Sequence, residues 1–243
     1  MTTMLLGSIL SALSTGLGAL PILVIRKFSH RARDMLLAFA AGIMVAASTY
    51  GLIPQALKES NLIVLTVGVL LGTLMLTLLE STIPHQDVPH TVGDVQIDRH
   101  ALLVIVAITL HNLPEGLSVG VSYASSEQNL GALVAVAIGL QNAPEGLLVA
   151  LFLVTQNIRS WTAFLIAAAT GAVEIVTALL GYYLTSFFSG LVPYGLAFAA
   201  GSMLFIVYKE LIPESHGHGH ERPATFTFII GLLLMIAMTE WFR

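Results

Sequence analysis

Cysteine is absent from the 243 residues, which excludes disulfides and thiolate metal ligands, so any metal must be held by nitrogen and oxygen. Charge is scarce as well. Lys and Arg number 10 and Asp and Glu 14, while 56% of the residues are hydrophobic, a balance that excludes an ordinary soluble domain. No long hydrophilic stretch is present to fold separately, so residues 1–243 are expected to form one membrane domain. Basic residues are missing ahead of the first apolar run, which is longer than a signal-peptide core; that run is expected to be retained. There is also no His-Glu-x-x-His, which argues against an intramembrane metal-dependent hydrolase.

What the chain has in abundance is apolar runs near the ~20 residues needed to span hydrocarbon. Eight are expected, roughly at 4–25, 34–54, 61–83, 100–123, 129–155, 160–185, 190–213 and 223–242. The fold class is therefore all-α, a polytopic protein with eight transmembrane helices. Arg26, Lys27, Arg31, Arg33, Arg99, Arg159, Lys209 and Arg222 fall on one side of the membrane, and Lys58 and Arg243 on the other. The basic side is expected in the cytoplasm, with both termini outside.

Two copies of one motif interrupt these runs: His111-Asn112-Leu113-Pro114-Glu115-Gly116 and Gln141-Asn142-Ala143-Pro144-Glu145-Gly146. A carboxylate at mid-membrane depth is costly and usually lines an ion or proton path. Residues four apart on a helix share a face, so His111 joins Glu115 and Gln141 joins Glu145, with Asn112 and Asn142 widening each face. An antiparallel hairpin turning at Gln128 puts His111 level with Glu145 and Glu115 level with Gln141, a box of four candidate ligands. Pro114 and Pro144 cannot donate to the carbonyls of Leu110 and Leu140, so each helix is expected to bend before its carboxylate. Gly116, Gly120 and Gly146 permit close helix approach.

Glu174 is a third acid inside an apolar span and a further candidate ligand. Glu210 is open to two readings, a functional acid or a structural ion pair with neighbouring Lys209. Glu80 and Glu240, at span ends, reach water, and Met44 and Met203 read as packing residues. His85, Asp87, His90, Asp94 and Asp98 crowd one loop; Glu214, His216, His218 and His220 crowd another. Such clusters suit zinc-like ions and equally suit plain flexible linkers.

An internal repeat is legible too. Leu37-Ala38-Phe39-Ala40-Ala41-Gly42-Ile43-Met44 recurs as Leu196-Ala197-Phe198-Ala199-Ala200-Gly201-Ser202-Met203, and Leu52-Ile53-Pro54 as Leu211-Ile212-Pro213, both at an offset of 159. The copies lie on the second and seventh spans, which run in opposite directions. Inverted repeats are a transporter architecture with the site where the halves meet.

The paired HNxPEG and QNxPEG motifs on consecutive spans, with eight spans and outside termini, resemble the ZIP (Zrt/Irt-like) family of divalent-metal transporters. Gln141 at the head of the second motif is similar to its GufA-type branch. The resemblance implies uptake of Zn2+, and often Fe2+, Mn2+ or Cd2+, into the cytoplasm across the cell (inner) membrane. It also implies a 3+2+3 inverted-repeat arrangement, commonly a homodimer, and an elevator-like movement of spans one, four, five and six against the others. It implies a binuclear centre, with His111, Glu115, Gln141 and Glu145 on one metal and Asn112, Asn142, Glu145 and Glu174 on the second. Glu115 and Glu145 would bridge the two ions. Asn142 and Lys209 depart from relatives with an acid and a His there. The partners implied are the metal ion and the bilayer, with no nucleic acid and no enzymatic activity. A metal exporter or proton-coupled antiporter is compatible with the same site.

Overall fold

The computed structural model describes residues 1–25, 29–82, 90–92, 95–97 and 99–242. Among the described residues there are ten α-helices: α1 Thr2–Ala19, α2 His30–Ala46, α3 Ile53–Glu59, α4 Leu62–Thr82, α5 Arg99–Ala124, α6 Leu130–Thr155, α7 Ser160–Phe187, α8 Val192–Ile206, α9 Ile212–Ser215 and α10 Glu221–Phe242. A 3₁₀ turn, Leu20–Leu23, extends α1, and widened π turns join α2 to α3 and α8 to α9. A short antiparallel hairpin, β1 His90–Val92 with β2 Val95–Ile97, lies ahead of α5. His85, Asp87, Asp94, Asp98, Arg26, Lys27 and Arg243 lie outside the described residues.

Among the described residues, seven helical segments are long and apolar enough to cross a membrane: Thr2–Leu23, His30–Glu59, Leu62–Ser81, Leu130–Thr155, Ser160–Phe187, Ser189–Ser215 and Glu221–Phe242. α5 equals α6 at 26 residues, a length of about 39 Å at about 1.5 Å per residue. Helix starts follow local chemistry. Ser29 accepts from the Ala32 N–H at 3.2 Å to begin α2, and Asn61 Oδ1 accepts from the N–H groups of Ile63 and Val64 ahead of α4.

The bundle is apolar outside and polar within. Leu62, Ile63, Leu70, Leu78, Val176, Phe226 and Trp241 are exposed, while Glu115, Gln141, Asn142 and Glu174 are buried. In water this arrangement would be unstable, but against lipid every backbone group is satisfied within its own helix and the apolar faces meet hydrocarbon. The chain is thus an all-α polytopic membrane protein.

Both copies of the sequence repeat end the same way. The π turns Ala47–Leu52 and Val207–Leu211 precede Pro54 and Pro213 by the same spacing. Proline lacks an N–H and its ring crowds the carbonyl four residues back, at Tyr50 and Lys209; a π turn absorbs that strain. The widening falls there, whereas α5 and α6 run as continuous helices through Pro114 and Pro144. Packing follows the offset of 159. α2 lies along α10 and α8 along α4, while α1 lies along α6 and α5 along α7. A Cβ on Gly42 would overlap the Phe228 carbonyl of α10, and one on Gly201 the Val69 carbonyl of α4. Met44 and Met203 are fully buried in the core that these helices share.

Gly201→Ala should therefore destabilise the bundle by about 1–3 kcal/mol, because backbone must move to admit the methyl group. Gly190→Ala, which meets nothing within 4 Å, should leave thermal unfolding in detergent unchanged. Equal melting curves for the two variants would contradict the close α4–α8 crossing.

Candidate metal centre

α5, α6 and α7 bring the polar residues together, and α1 closes the group. Glu115 and Gln141 are fully buried and face each other across the α5–α6 hairpin, with Gln141 Nε2 donating to Glu115 Oε1 at 2.7 Å. Asn142 Nδ2 donates to Glu174 Oε1 at 2.7 Å, and Ser11 Oγ of α1 donates to Glu174 Oε2 at 2.9 Å. Asn142 also donates to the Ser11 carbonyl at 3.2 Å. Close helix contact makes this possible. Gly116 rests on the backbone of Glu174, and Gly146 on the backbone of Thr15, so each motif carries a side-chain-free surface beside its carboxylate.

The hydrogen-bond inventory of the centre is incomplete. Glu115 Oε2, Gln141 Oε1 and Asn142 Oδ1 are buried and have no partner. Buried polar atoms are normally satisfied, so these three oxygens keep acceptor capacity to spare. Buried Asn112 has its amide nitrogen without a partner as well. Among the described residues no three His, Asp or Glu side chains are arranged to hold an ion by themselves, so the amide oxygens belong to the donor set.

His111 behaves differently from its expected place in the box. Its Nε2 lies 2.9 Å from Glu210 Oε2, an acid on the widened turn after α8. Lys209 pairs with Glu80 of α4 instead of with Glu210. The close partner of Glu210 is therefore His111, and Glu80 has a cation to hold it. His111 and Glu145 line a cavity of about 710 Å³ with Glu210, and its rim includes Arg33, Glu214 and His218. Arg33 and Glu214 form a part-exposed ion pair there.

At the other end of the bundle the α5–α6 turn is fastened to α3. Glu59 accepts from the Ser126 N–H at 2.9 Å and from Ser126 Oγ at 2.8 Å, Gln55 donates to Ser126 Oγ at 3.1 Å, and Lys58 pairs with Glu127 at 2.8 Å. Arg33 begins α2 and Gln55 follows its far end, so the cavity and this fastening lie at opposite ends of one span.

Of the residues singled out from sequence, Glu115, Gln141, Asn142 and Glu174 meet in one buried network, Asn112 is buried beside Leu113 on α5, and His111 and Glu145 face the cavity. Ser11 and Thr15 were missed. Their signal is the helical spacing of Ser8, Ser11 and Thr15, all buried, on an apolar span, with Thr15 standing 159 residues before Glu174.

A polar, acceptor-rich centre buried across several spans of a lipid-facing bundle is the architecture of a membrane transport protein. The family described as ZIP zinc transporter matches residues 80–239. Zinc transporter GufA of Myxococcus xanthus is 39% identical over 96% of both chains. Zinc transporter ZIPB of Bordetella bronchiseptica is 37% identical over 95% of this chain and 78% of its own, and zinc transporter ZupT of Chlorobium luteolum 34% identical over 95% and 94%. The chain belongs to the ZIP family, in its GufA-type branch.

Removing the Ser11 hydroxyl leaves Glu174 Oε2 without a donor. Ser11→Ala should cost about 1–3 kcal/mol of stability, read as a lower melting temperature in detergent. Ser14→Ala, whose hydroxyl bonds only the Leu10 carbonyl of its own helix, should not.

Proposed function

We propose that this protein carries divalent metal ions, chiefly Zn2+, into the cytoplasm through a binuclear centre built from His111, Asn112, Glu115, Gln141, Asn142, Glu145 and Glu174. The observation that carries the reading is the set of three unpartnered acceptor oxygens, Glu115 Oε2, Gln141 Oε1 and Asn142 Oδ1, inside an apolar bundle. Two cations would satisfy these oxygens, Gln141 Oε1 on one ion and Asn142 Oδ1 on the other, with Glu115 Oε2 between them. Nitrogen and oxygen ligands suit zinc, and Fe2+, Mn2+ and Cd2+ compete by the usual affinity order. The zinc transporters named above support zinc as cargo.

One ion would take His111, Glu115, Gln141 and Glu145, and the second Asn112, Asn142, Glu145 and Glu174, with Glu115 and Glu145 shared. His111 would reach the first ion by leaving Glu210, which lines the same cavity and would offer a departing ion a further carboxylate. Import follows the family resemblance, and charge and shape together support the orientation. The cavity opens at the end carrying Arg31, Arg33 and the α9–α10 loop, the basic side that the charge rule assigns to the cytoplasm. Both termini then lie outside, and the cell membrane is the natural location. Equivalent contacts 159 residues apart support a 3+2+3 inverted repeat. Strong packing of α1, α5, α6 and α7 among themselves supports their moving as one body against the rest, and a homodimer through the remaining helices fits that division.

Glu115→Ala and Glu145→Ala should each abolish zinc flux into proteoliposomes of known protein orientation, since each removes a charge shared by both ions; Gln in either place should be nearly as damaging. Wild-type-like flux at matched protein would defeat the site, and flux only outward would replace import by export. Equilibrium zinc binding checks the chemistry separately. Imidazole and carboxylate ligands must lose protons to bind metal, so acidification favours the metal-free protein. Affinity should weaken between roughly pH 7 and pH 5, and His111→Ala should flatten that dependence. An affinity indifferent to pH would remove His111 and its neighbouring carboxylates as ligands.

A further inference from the structure

Two groups of helices meet along the polar centre: α1, α5, α6 and α7 pack among themselves, and so do α2, α3, α4, α8 and α10. At the end opposite the cavity, the α5–α6 turn of the first group is bonded to the second. Glu59 Oε1 is the hub. Besides the Ser126 N–H and hydroxyl it accepts from Gln55 Nε2 at 2.6 Å, and Gln55 also donates to Ser126 Oγ. Asn129 Nδ2, at the far side of the turn, donates to the Phe242 carbonyl of α10 at 2.8 Å.

The helix that carries Glu59 gives no local reason for an acid there. Glu59 is the last residue of α3, where the macrodipole disfavours negative charge. Its worth lies across the boundary, in two bonds from one turn residue to a carboxylate, a stronger kind than bonds between neutral groups. The neighbouring Lys58–Glu127 pair is exposed and adds little.

Below this contact the bundle is closed but polar. Ser118 and Ser122 follow Glu115 along one face of α5, and both are fully buried. Ser122 Oγ has no partner among the described residues, and neither has Ser48 Oγ on the widened turn that leads into α3. Unpaired buried hydroxyls are costly. Water admitted from this end would satisfy them.

We propose that Glu59 and Ser126 form a latch that shuts the bundle at the end opposite the cavity, and that its release opens a route along Ser122 and Ser118 to Glu115. The latch rests on the reading that the two helix groups move against each other. Hydrogen bonds of 2.8–2.9 Å do not survive a shift of a few ångströms, so any movement that exposes the centre at this end breaks them. The His111–Glu210 contact ties the same two groups at the cavity end. An intact latch therefore biases the molecule toward the state whose cavity is open.

Because the chain has no cysteine, single reporter cysteines can be placed without background. Ser122→Cys reports the shut end, and Leu148→Cys, on the cavity wall, reports the open one. Full-length protein in lipid nanodiscs, both faces of which are open to a charged maleimide, gives the labelling rate at each. Ser122→Cys alone should react slowly and Leu148→Cys fast. Adding Glu59→Ala should speed the labelling of Ser122→Cys roughly tenfold, the scale of one lost hydrogen bond to a carboxylate, and leave Leu148→Cys no faster. Ser126→Ala keeps the backbone donor, so it should give a smaller rise in the same direction, and it carries the test if Glu59→Ala does not fold. An unchanged Ser122→Cys rate overturns the latch. An equal rise at both cysteines overturns it too, since that is general loosening of the bundle. Labelling needs no zinc, so it still reads the latch if the metal centre fails, and failure of the latch leaves zinc binding at the centre untouched.

Discussion

Holding carboxylates inside an apolar bundle is the constraint on which the rest of this structure depends. An ion moved from water to a low-dielectric interior costs several kcal/mol even after relaxation, so Glu115 and Glu174 survive there only with donors in place. Gln141 answers Glu115, and Asn142 and Ser11 answer Glu174. Each answer comes from another helix, which forces α1, α5, α6 and α7 into close contact, and the close contact in turn needs Gly116 and Gly146. The donors are amides and a hydroxyl, neutral groups that leave Glu115 Oε2 without a partner.

The offset of 159 shows how a symmetrical frame is turned to an asymmetrical use. Gly42 and Gly201 make equivalent crossings, and both π turns precede equivalent prolines. The polar residues break the correspondence. Thr15 stands opposite Glu174 in the repeat, and Gly51 opposite Glu210. Glu174 and Glu210 therefore have no acidic counterpart in the first copy, and the cavity opens at the end where Glu210 meets His111, while the other end is tied by Glu59 and Ser126. Packing is set by small residues that the two copies share, and the polar groups differ between them.

Much of this was legible in the linear chain because membrane helices obey local rules. Apolar runs of the right length announce spans, since lipid leaves the backbone no alternative to the helix. Carboxylates inside those runs announce the site, since nothing else justifies their cost. His111, Asn112, Glu115, Gln141, Asn142 and Glu145 belong to elements whose spacing alone placed them on shared faces, Glu174 stood out as an acid inside an apolar span, and the Glu115–Gln141 pairing follows from the hairpin's centre.

Tertiary structure alone decided which groups touch across helices far apart in the chain. Ser11 is 163 residues from Glu174, and Asp34 is 184 from His218. No periodicity links such positions, because a contact between helices depends on their rotation and crossing. The partner of His111 is of the same kind: spacing offered Glu145, and the path of the widened turn after α8 brought Glu210. Lys209 was likewise claimed by Glu80 on α4, not by its neighbour in sequence. Sequence by itself determined the spans, the motif faces and the internal repeat, because each rests on the period of a single helix. The ion pairs, the open end of the cavity and the Asp34–His218 contact waited on the packing, because each is an interaction between helices.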